Sequence, residues 1–397
     1  MGASQTGPSQ GNTGNVSHPA KVIAVTVAAA VGGLLFGFDT AVINGAVDAI
    51  GGEFSLSAGV LGFTVAITLL GCAVGAWFAG QLADRLGRKT VMVTAAVLFA
   101  ANSIGSAWAF SVWDLMLWRL IGGLAIGTAS VIAPGYIAEV APAKWRGALG
   151  SVQQLAITIG IFAALLSDAW LANTAGSAFN ELWWGMAAWR WMLLVGVAPA
   201  IVYGILALTI PESPQYLVRK NRDEEAAKVL RDITGVRDTD KKIREIRDSF
   251  ENEERATYSD LRGTMLGLKP ILWVGMSIAA LQQLVGINAI FYYSTTLWQS
   301  VGFSESDSFT TSVITSVVNV LMTIVAIAFV DRIGRRKLLM TGSIGMFIGL
   351  LAATVSFFQA DNSSGEIVLP QPWGAIALIG ANLFVVFFAA TWGPVMW

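Results

Sequence analysis

The sequence of 397 residues is 55% hydrophobic and only 13% charged, with a formal net charge of −1. A soluble domain carries about 25% charged residues, so this chain lacks the polar surface that a soluble enzyme of its size needs. The balanced charge gives no sign of nucleic-acid binding. Cys72 is the single cysteine and His18 the single histidine, which excludes a disulfide framework and a Cys/His metal site. We therefore expect a membrane protein that is not an enzyme and uses no cofactor or metal.

Ten stretches are long and apolar enough to cross a bilayer, which takes about 20 such residues in a helix. They lie near 22–47, 59–83, 90–109, 114–137, 148–168, 189–210, 269–298, 308–330, 337–358 and 373–397. Residues 1–20 are rich in Gly, Ser, Asn and Thr and predict a disordered tail. The pattern predicts an all-α membrane protein.

Lys and Arg are confined to alternate connections between these stretches. They occupy 85–89, 144–146, 215–269 and 332–337, and are absent near 48–58, 110–113, 168–188, 299–307 and 359–371. Basic connections stay in the cytoplasm, so the N-terminus is expected there, in a multi-pass protein of the cell membrane. We expect a monomer surrounded by lipid.

A charged interval divides the chain into two membrane halves. We expect a six-helix half at 21–210, a helical cytoplasmic linker at 211–268 and a second half at 269–397. The stretch Asp84–Lys89 recurs as Asp331–Arg336, each time after the second span of its half. Repeated halves are typical of secondary transporters. If the halves match, the second is truncated after about four helices.

Asp39 and Arg119 are the clearest ionisable residues inside predicted spans, where a charge is costly. Asp39 precedes Asp48 by nine residues and Arg119 follows Phe110 by nine, which places both roughly 13 Å from the same end of their helices. The shared depth predicts an ion pair. A carboxylate that exchanges its proton with one side only is what proton coupling requires; the alternative is a static structural pair.

Polar, uncharged side chains are concentrated in the seventh span. It contains Gln282, Gln283, Asn288, Tyr292 and Tyr293 around Gly286, and two more amides, Gln154 and Asn319, lie in the fifth and eighth spans. Amides and phenols both donate and accept hydrogen bonds, which favours a neutral polyhydroxyl ligand over an ion. Aromatic rings at Phe36, Phe388 and Trp397 could stack on a sugar ring. The alternative is hydrogen bonding between helices.

Charged residues at the basic edge of the spans form a third group, for which we expect a cytoplasmic gate. Its members are Asp84, Arg85, Arg88, Glu139, Arg146, Glu212, Asp331, Arg332 and Arg335. Opposite charges at helix ends can clasp neighbouring helices and stabilise one state of an alternating cycle. The alternative is that they only determine topology.

Several short motifs occur in one order along the chain: Gly32–Asp39, Gly80–Lys89, Arg119–Gly127, Pro134–Glu139, Arg146-Gly147, Pro211–Pro214, Gln282–Asn288, Asp331–Arg336 and Trp392–Pro394. Together they resemble the sugar porter branch of the major facilitator superfamily along residues 21–397, in detail most closely the actinobacterial glucose permeases. The resemblance implies a fold of two six-helix halves that works by alternating access.

The resemblance also implies roles for individual residues. Asp39 matches the proton-coupling acid and Arg119 its partner. Sugar contacts are expected from Gln154, Gln282, Gln283, Asn288, Asn319 and Trp397, and cavity lining from Phe36, Tyr292, Phe388 and Gly393.

Three positions depart from the pattern of the family. Gln215 replaces an Arg after the Pro-Glu-Ser-Pro motif, and Ile327 replaces a Gly before the second loop motif. Gly196 occupies the place of a further acid that some relatives carry, so coupling is expected to depend on Asp39 alone.

The sequence thus predicts a symporter of protons and a hexose such as glucose. The alternatives are a uniporter, a porter for pentose, inositol or polyol, a non-transporting sugar sensor, and an inactive fragment.

Overall fold

A computed structural model describes residues 19–141, 146–236, 238–252, 261–263, 265, 267–300, 302–359 and 369–395. Within them, ten helical segments are long and apolar enough to cross a membrane, which confirms the predicted number of spans. The predicted tail at 1–20 lies almost wholly outside the described residues.

Six crossings form the first half. They are α1 (Pro19–Glu53), α2 (Ala58–Leu86), α3 (Arg88–Ala107), α4 (Val112–Val140), α5 (Arg146–Ala175) and the pair α6 (Ala188–Val195) and α7 (Val197–Thr209). A small antiparallel hairpin, β1 (Glu181–Trp183) and β2 (Met186–Ala187), lies between α5 and α6. The sequence did not predict this hairpin.

Short helices follow the sixth crossing. They are α8 (Pro214–Arg219), α9 (Asp223–Val229), a π-helical turn at Leu230–Thr234 and α10 (Thr239–Asn252). Leu217, Ala226, Leu230 and Ile243 bury their side chains in a core of their own, which holds these helices together beside the membrane bundle.

Within the described residues, four crossings follow the linker helices. They are α11 (Pro270–Leu284) with α12 (Ile287–Tyr292), then α14 (Glu305–Ile333), α15 (Arg335–Phe358) and α16 (Trp373–Phe387), with α13 (Ser294–Ser300) before α14. A π-helical turn at Phe388–Trp392 and the short α17 (Gly393–Val395) follow α16. The seventh crossing is interrupted at Gly286, between α11 and α12.

The repeated loop motif adopts one backbone geometry in both halves. Gly87 joins α2 to α3 with φ +92° and ψ 155°, and Gly334 joins α14 to α15 with φ +88° and ψ 140°. This region of backbone space is almost restricted to glycine. The two halves therefore share a turn as well as a sequence.

We call the end of the bundle that carries Arg85–Lys89 and Arg332–Lys337 the basic end. We call the opposite end the closed end, because hydrogen bonds join the two halves at that end. Asn44 of α1 donates to the Ser294 hydroxyl at 2.7 Å and accepts from the Thr295 amide at 3.0 Å. Further bonds join Thr296 to Asp48 (3.0 Å), Ala178 to Glu305 (2.9 Å) and Ser306 to Asn173 (3.0 Å).

Two predicted helix boundaries at the closed end were wrong. Helix α1 continues to Glu53, so Asp48 belongs to the helix and not to a connection. Helix α5 continues to Ala175, beyond the predicted end of the span at 168, so Asp168 lies inside the helix and not at its boundary. In both cases the additional turns pack against the second half, as the bonds from Asp48 and Asn173 show.

Candidate functional site

A cavity of about 290 Å³ lies between the two halves. The first half contributes Phe36 and Thr40 of α1, Ser130 of α4, and Gln154, Ile157 and Ile161 of α5. The second half contributes Gln282, Gln283, Ile287, Asn288, Phe291, Asn319 and Phe388. The volume is at the small end of the range for ligand sites, which favours a small ligand.

Helical periodicity explains why these side chains converge. Gln154, Ile157 and Ile161 are spaced by three and four residues, so they form one stripe along α5. Phe36 and Thr40 form a similar stripe on α1. A closely packed seam positions both stripes, since a side chain at Gly37 or Gly160 would collide with the backbone of the other helix.

The polar groups of the cavity are amides and hydroxyls. Asn288 donates to the Gln283 side chain at 2.7 Å, and Thr40 donates to the Phe36 carbonyl at 2.7 Å. Each primary amide has two donors and an acceptor with two lone pairs, so capacity remains for a ligand. None of the described residues that line the cavity is charged. Together with the isoleucine and phenylalanine walls, this chemistry suits a neutral molecule with several hydroxyls.

Seven of the residues expected at the ligand site line this cavity: Phe36, Gln154, Gln282, Gln283, Asn288, Asn319 and Phe388. Two expected lining residues, Tyr292 and Gly393, are not among its described lining residues. Tyr292 is buried beside Thr40 and Asp39, and Gly393 packs on the Gln154 amide. Trp397 lies outside the described residues.

The sequence analysis missed six lining residues: Thr40, Ser130, Ile157, Ile161, Ile287 and Phe291. Helical spacing from Phe36 and Gln154 could have identified Thr40, Ile157 and Ile161. Nothing comparable identifies Ser130, whose hydroxyl donates to the Gly127 carbonyl in its own helix at 2.8 Å.

Asp39 and Arg119 form the expected ion pair, with 3.1 Å between Arg119 Nη1 and Asp39 Oδ1. The two side chains are only 3% and 2% exposed. Among the described residues, Asp39 Oδ2 and Arg119 Nε lack a hydrogen-bond partner of good geometry, although the Asn102 side chain lies beside the Asp39 carboxyl group. Since α1 and α4 extend to Glu53 and Val112, the two residues lie about 21 and 10 Å from these helix ends. The predicted equal distance from the two ends was therefore wrong, although the contact shows that the two side chains meet at one depth.

A small pocket adjoins this ion pair on the side of α1 that packs against α3, α4 and α6. Asn102, Ser103, Ser106 and Gly196 contribute to its walls beside Asp39 and Arg119. Gly196, the position at which some relatives carry an acid, therefore lines the same small pocket as the pair, and a Cβ added there would meet the Ser103 hydroxyl. The pair lies within the first half, separated from the cavity by α1 itself.

Arg88 is the centre of a charge network at the basic end. Its guanidinium contacts Asp84 at 3.1 Å and Glu139 at 3.0 Å. The Ser213 hydroxyl donates to Glu139. Glu212 accepts a hydrogen bond from the Arg88 amide at 2.9 Å. The network therefore joins α2, α3 and α4 to the start of α8.

The structure brings together four of the nine expected gate residues: Asp84, Arg88, Glu139 and Glu212. The Arg85 and Arg332 side chains are exposed, and Arg335 lies 3.5 Å from the Val395 carbonyl. The Arg146 and Asp331 side chains lie outside what the structure describes. The sequence analysis missed Ser213 and Arg219, and the latter pairs with Asp84 at 2.9 Å.

Metal binding has no structural support in the part of the chain described here. No group of three or more His, Cys, Asp or Glu side chains among those residues could hold an ion.

Comparison with known proteins gives consistent matches along the chain. A family model described as "Sugar (and other) transporter" matches residues 25–397. The glucose transport protein of Synechocystis is 50% identical over 391 residues, which cover 98% of this chain and 82% of that protein. The D-xylose-proton symporter of Escherichia coli is 33% identical, with 95% of this chain and 78% of that protein covered.

Solved structures of the xylose transporter XylE from E. coli are also similar. The structure described as partially occluded and inward open has a TM-score of 0.81 at 31% identity, and the match covers 95% of this chain and 86% of that one. The XylE structure with bound 6-bromo-6-deoxy-D-glucose has a TM-score of 0.80 at 33% identity, with 95% and 81% of the chains covered.

Proposed function

Because the chain belongs to the sugar porter family of the major facilitator superfamily, we propose that it carries a hexose such as glucose across the cell membrane together with a proton. The family and these relatives are sugar transporters and not enzymes. The choice of hexose and the coupling to protons are the proposal.

One observation carries this proposal. The uncharged, amide-rich cavity and the buried Asp39–Arg119 pair share helix α1, which contributes Phe36 and Thr40 to the cavity. A movement of α1 therefore changes both sites. Relatives named as a glucose transport protein and a xylose-proton symporter support this combination of ligand and ion.

Alternating access provides the mechanism. In the conformation described here, hydrogen bonds such as Asn44–Ser294 and Asp48–Thr296 join the two halves at the closed end of the cavity. The XylE structure described as partially occluded and inward open is a close structural match, which supports a conformation sealed on the outside. Sugar would bind between the halves, and the halves would then rock about it.

A proton on Asp39 would weaken its attraction to Arg119. The pair is held by one contact of 3.1 Å, and neither side chain is otherwise fully satisfied. A neutral Asp39 releases the guanidinium, so α1 can change its position relative to α4. We propose that this step permits closure over the sugar.

The proposed orientation places the N-terminus, the linker helices and the basic end in the cytoplasm, since basic connections remain on that side. A cysteine at exposed Asp248 of α10, in a Cys72→Ser background, tests this. An impermeant maleimide is expected to label it in inside-out vesicles and not in intact cells; the reverse pattern contradicts the orientation.

Labelled-glucose uptake in cells without glucose transporters tests the function. We expect accumulation above the external concentration, its abolition by a protonophore, and competition by unlabelled glucose. If glucose only equilibrates and the protonophore has no effect on its uptake, the protein is a uniporter. If only a pentose, inositol or polyol competes with the labelled glucose, the substrate is a different one. Absence of both uptake and exchange for all these sugars contradicts sugar transport. Asp248→Asn, an exposed linker substitution, serves as the control variant.

A further inference from the structure

Asp168 of α5 is a second buried acid, which the mechanism above does not use. Its side chain is fully buried. Among the described residues, no side chain forms a hydrogen bond with either carboxyl oxygen, and its polar neighbour is the backbone of Gly45. The carboxyl group packs on the backbone of Gly45 in α1, where an added Cβ would lie 2.8 Å from Asp168 Oδ2. Only a glycine leaves room for a carboxyl group at this point of the α1–α5 seam.

Asp168 extends the stripe of α5 that lines the cavity. Gln154, Ile157 and Ile161 face the cavity, and Asp168 follows Ile161 by seven residues, or two helical turns. It therefore lies about 10 Å beyond the cavity in the direction of the closed end. Asn173, five residues further on, already bonds to Ser306 of α14. Asp168 thus lies within the layer that seals the cavity.

This sealing layer is polar on the side of the second half. Ser294 bonds to Asn44 and to Ser312 of α14, both at 2.7 Å. Ser308 of α14 is fully buried, and its hydroxyl has no partner. With α5 and α14 antiparallel, the Asn173–Ser306 contact places Ser308 and Ser312 at about the height of Asp168.

Opposite charges that could compensate a carboxylate are engaged elsewhere. The ionisable residues nearest the closed end on the elements that pack against α5 are Asp39, Asp48 and Glu53 of α1, Asp114 and Arg119 of α4, Glu181 of β1, Arg190 of α6, and Glu305 and Asp307 of α14. The two cations are paired, Arg119 with Asp39 and Arg190 with Glu53. No ion pair among the described residues involves Asp168.

We propose that Asp168 is a proton-binding site of the closed end, which takes up a proton when the halves close over the cavity and releases it when they separate. An unpaired buried carboxylate is strongly unfavourable, so the sealed layer accommodates the neutral acid. When α14 leaves α5, water reaches the carboxyl group, and its proton passes to that water. The proposal rests on the alternating-access function proposed above and adds a second proton site to Asp39.

Distances between spin labels across the closed end test this proposal without any transport assay. Labels on Thr174→Cys of α5 and Thr310→Cys of α14, both exposed positions, report closure in a Cys72→Ser, Asp39→Asn background. With Asp168 present, the ratio of closed to open molecules is expected to fall by up to about tenfold per pH unit above the transition, because closure binds one proton. With Asp168→Asn, this fall in the ratio with rising pH is expected to disappear.

Asp168→Ser, which is smaller and does not titrate in this range, provides a second variant if Asp168→Asn fails to fold. Asp307→Asn, an exposed acid of the same end, is the control and should keep the pH dependence. A pH slope that survives loss of the Asp168 carboxyl group, or its absence when Asp168 is present, overturns the proposal. If the proposal of symport is wrong, this would be seen in a separate experiment, as sugar uptake that is unchanged by a protonophore.

Discussion

Asp39 and Thr40 are neighbours in the sequence, and their side chains leave helix α1 in directions about 100° apart. Thr40 lines the cavity between the halves, whereas Asp39 pairs with Arg119 inside the first half. Asp39 is therefore not among the described residues that line the cavity. An effect of a proton at Asp39 on sugar binding is expected to pass through α1, which carries both residues.

Replacement of Asp39 by Asn is expected to separate exchange from accumulation. The amide cannot carry the coupled proton, but it leaves the cavity side chains Phe36 and Thr40 in place. Asp39→Asn should therefore retain counterflow of labelled sugar at equal pH and lose uphill accumulation. Counterflow and protonophore-sensitive uptake in the same vesicles measure both; uphill, pH-driven accumulation by this variant contradicts the role of Asp39.

Replacement of Arg119 alone is expected to lower the stability of the folded protein more than replacement of both Asp39 and Arg119. Arg119→Gln leaves the Asp39 carboxylate buried without its counter-charge, at a cost of about 3–5 kcal/mol. The double variant Asp39→Asn, Arg119→Gln has no uncompensated charge and should recover most of this stability. Thermal unfolding followed by tryptophan fluorescence measures the difference, and a double variant no more stable than Arg119→Gln would rule out this explanation.

Removal of a cavity amide is expected to weaken sugar binding moderately. Asn319 is buried and lines the cavity, and one hydrogen bond contributes about 0.5–1.5 kcal/mol. Asn319→Ala should raise the dissociation constant about 2- to 10-fold. Asn180→Ala, at an exposed amide beside the hairpin, is the matched control. Calorimetric titration with glucose compares them, and equal affinities would remove Asn319 from the site.

The two glycines of the repeated loop motif, Gly87 and Gly334, allow a direct comparison of how the same substitution affects stability. Alanine at Gly87 or Gly334 meets the same backbone strain, about 1–3 kcal/mol. A Cβ at Gly334 enters open space, but at Gly87 it collides with Glu212, which accepts from the Arg88 amide. Gly87→Ala should therefore lower the melting temperature more than Gly334→Ala. Equal losses would show that the Glu212 contact adds nothing.

Much of the architecture was predictable because the bilayer imposes simple rules. A membrane-spanning helix can be predicted from a run of about 20 apolar residues, and the described residues contain the ten expected crossings. The Asp39–Arg119 pair could be inferred because isolated charges in spans are costly and rare and because the two residues were expected at a shared depth. Clustered amides near Gly286 likewise indicated the cavity, to which Gln282, Gln283 and Asn288 contribute.

The features that the sequence did not predict depend on contacts between segments that are distant in the chain. An acid after a run of apolar residues indicates the boundary between a span and a connection, so the fifth span was predicted to end at Asp168, although α5 continues to Ala175. Ser213 belongs to the basic-end network only because α8 folds back on α4. Tyr292 and Gly393 were expected in the cavity wall, but orientation within a broken helix or a π-helical turn does not follow from regular spacing.

The most direct test of the account is simultaneous measurement of sugar and proton movement in proteoliposomes that contain this chain. Addition of glucose without a membrane potential should raise the external pH as protons enter with the sugar, and Asp39→Asn should take up glucose to equilibrium without any pH change. Sugar entry in the wild-type protein without proton movement, or equal proton movement in Asp39→Asn, would contradict the proposal that Asp39 couples the two.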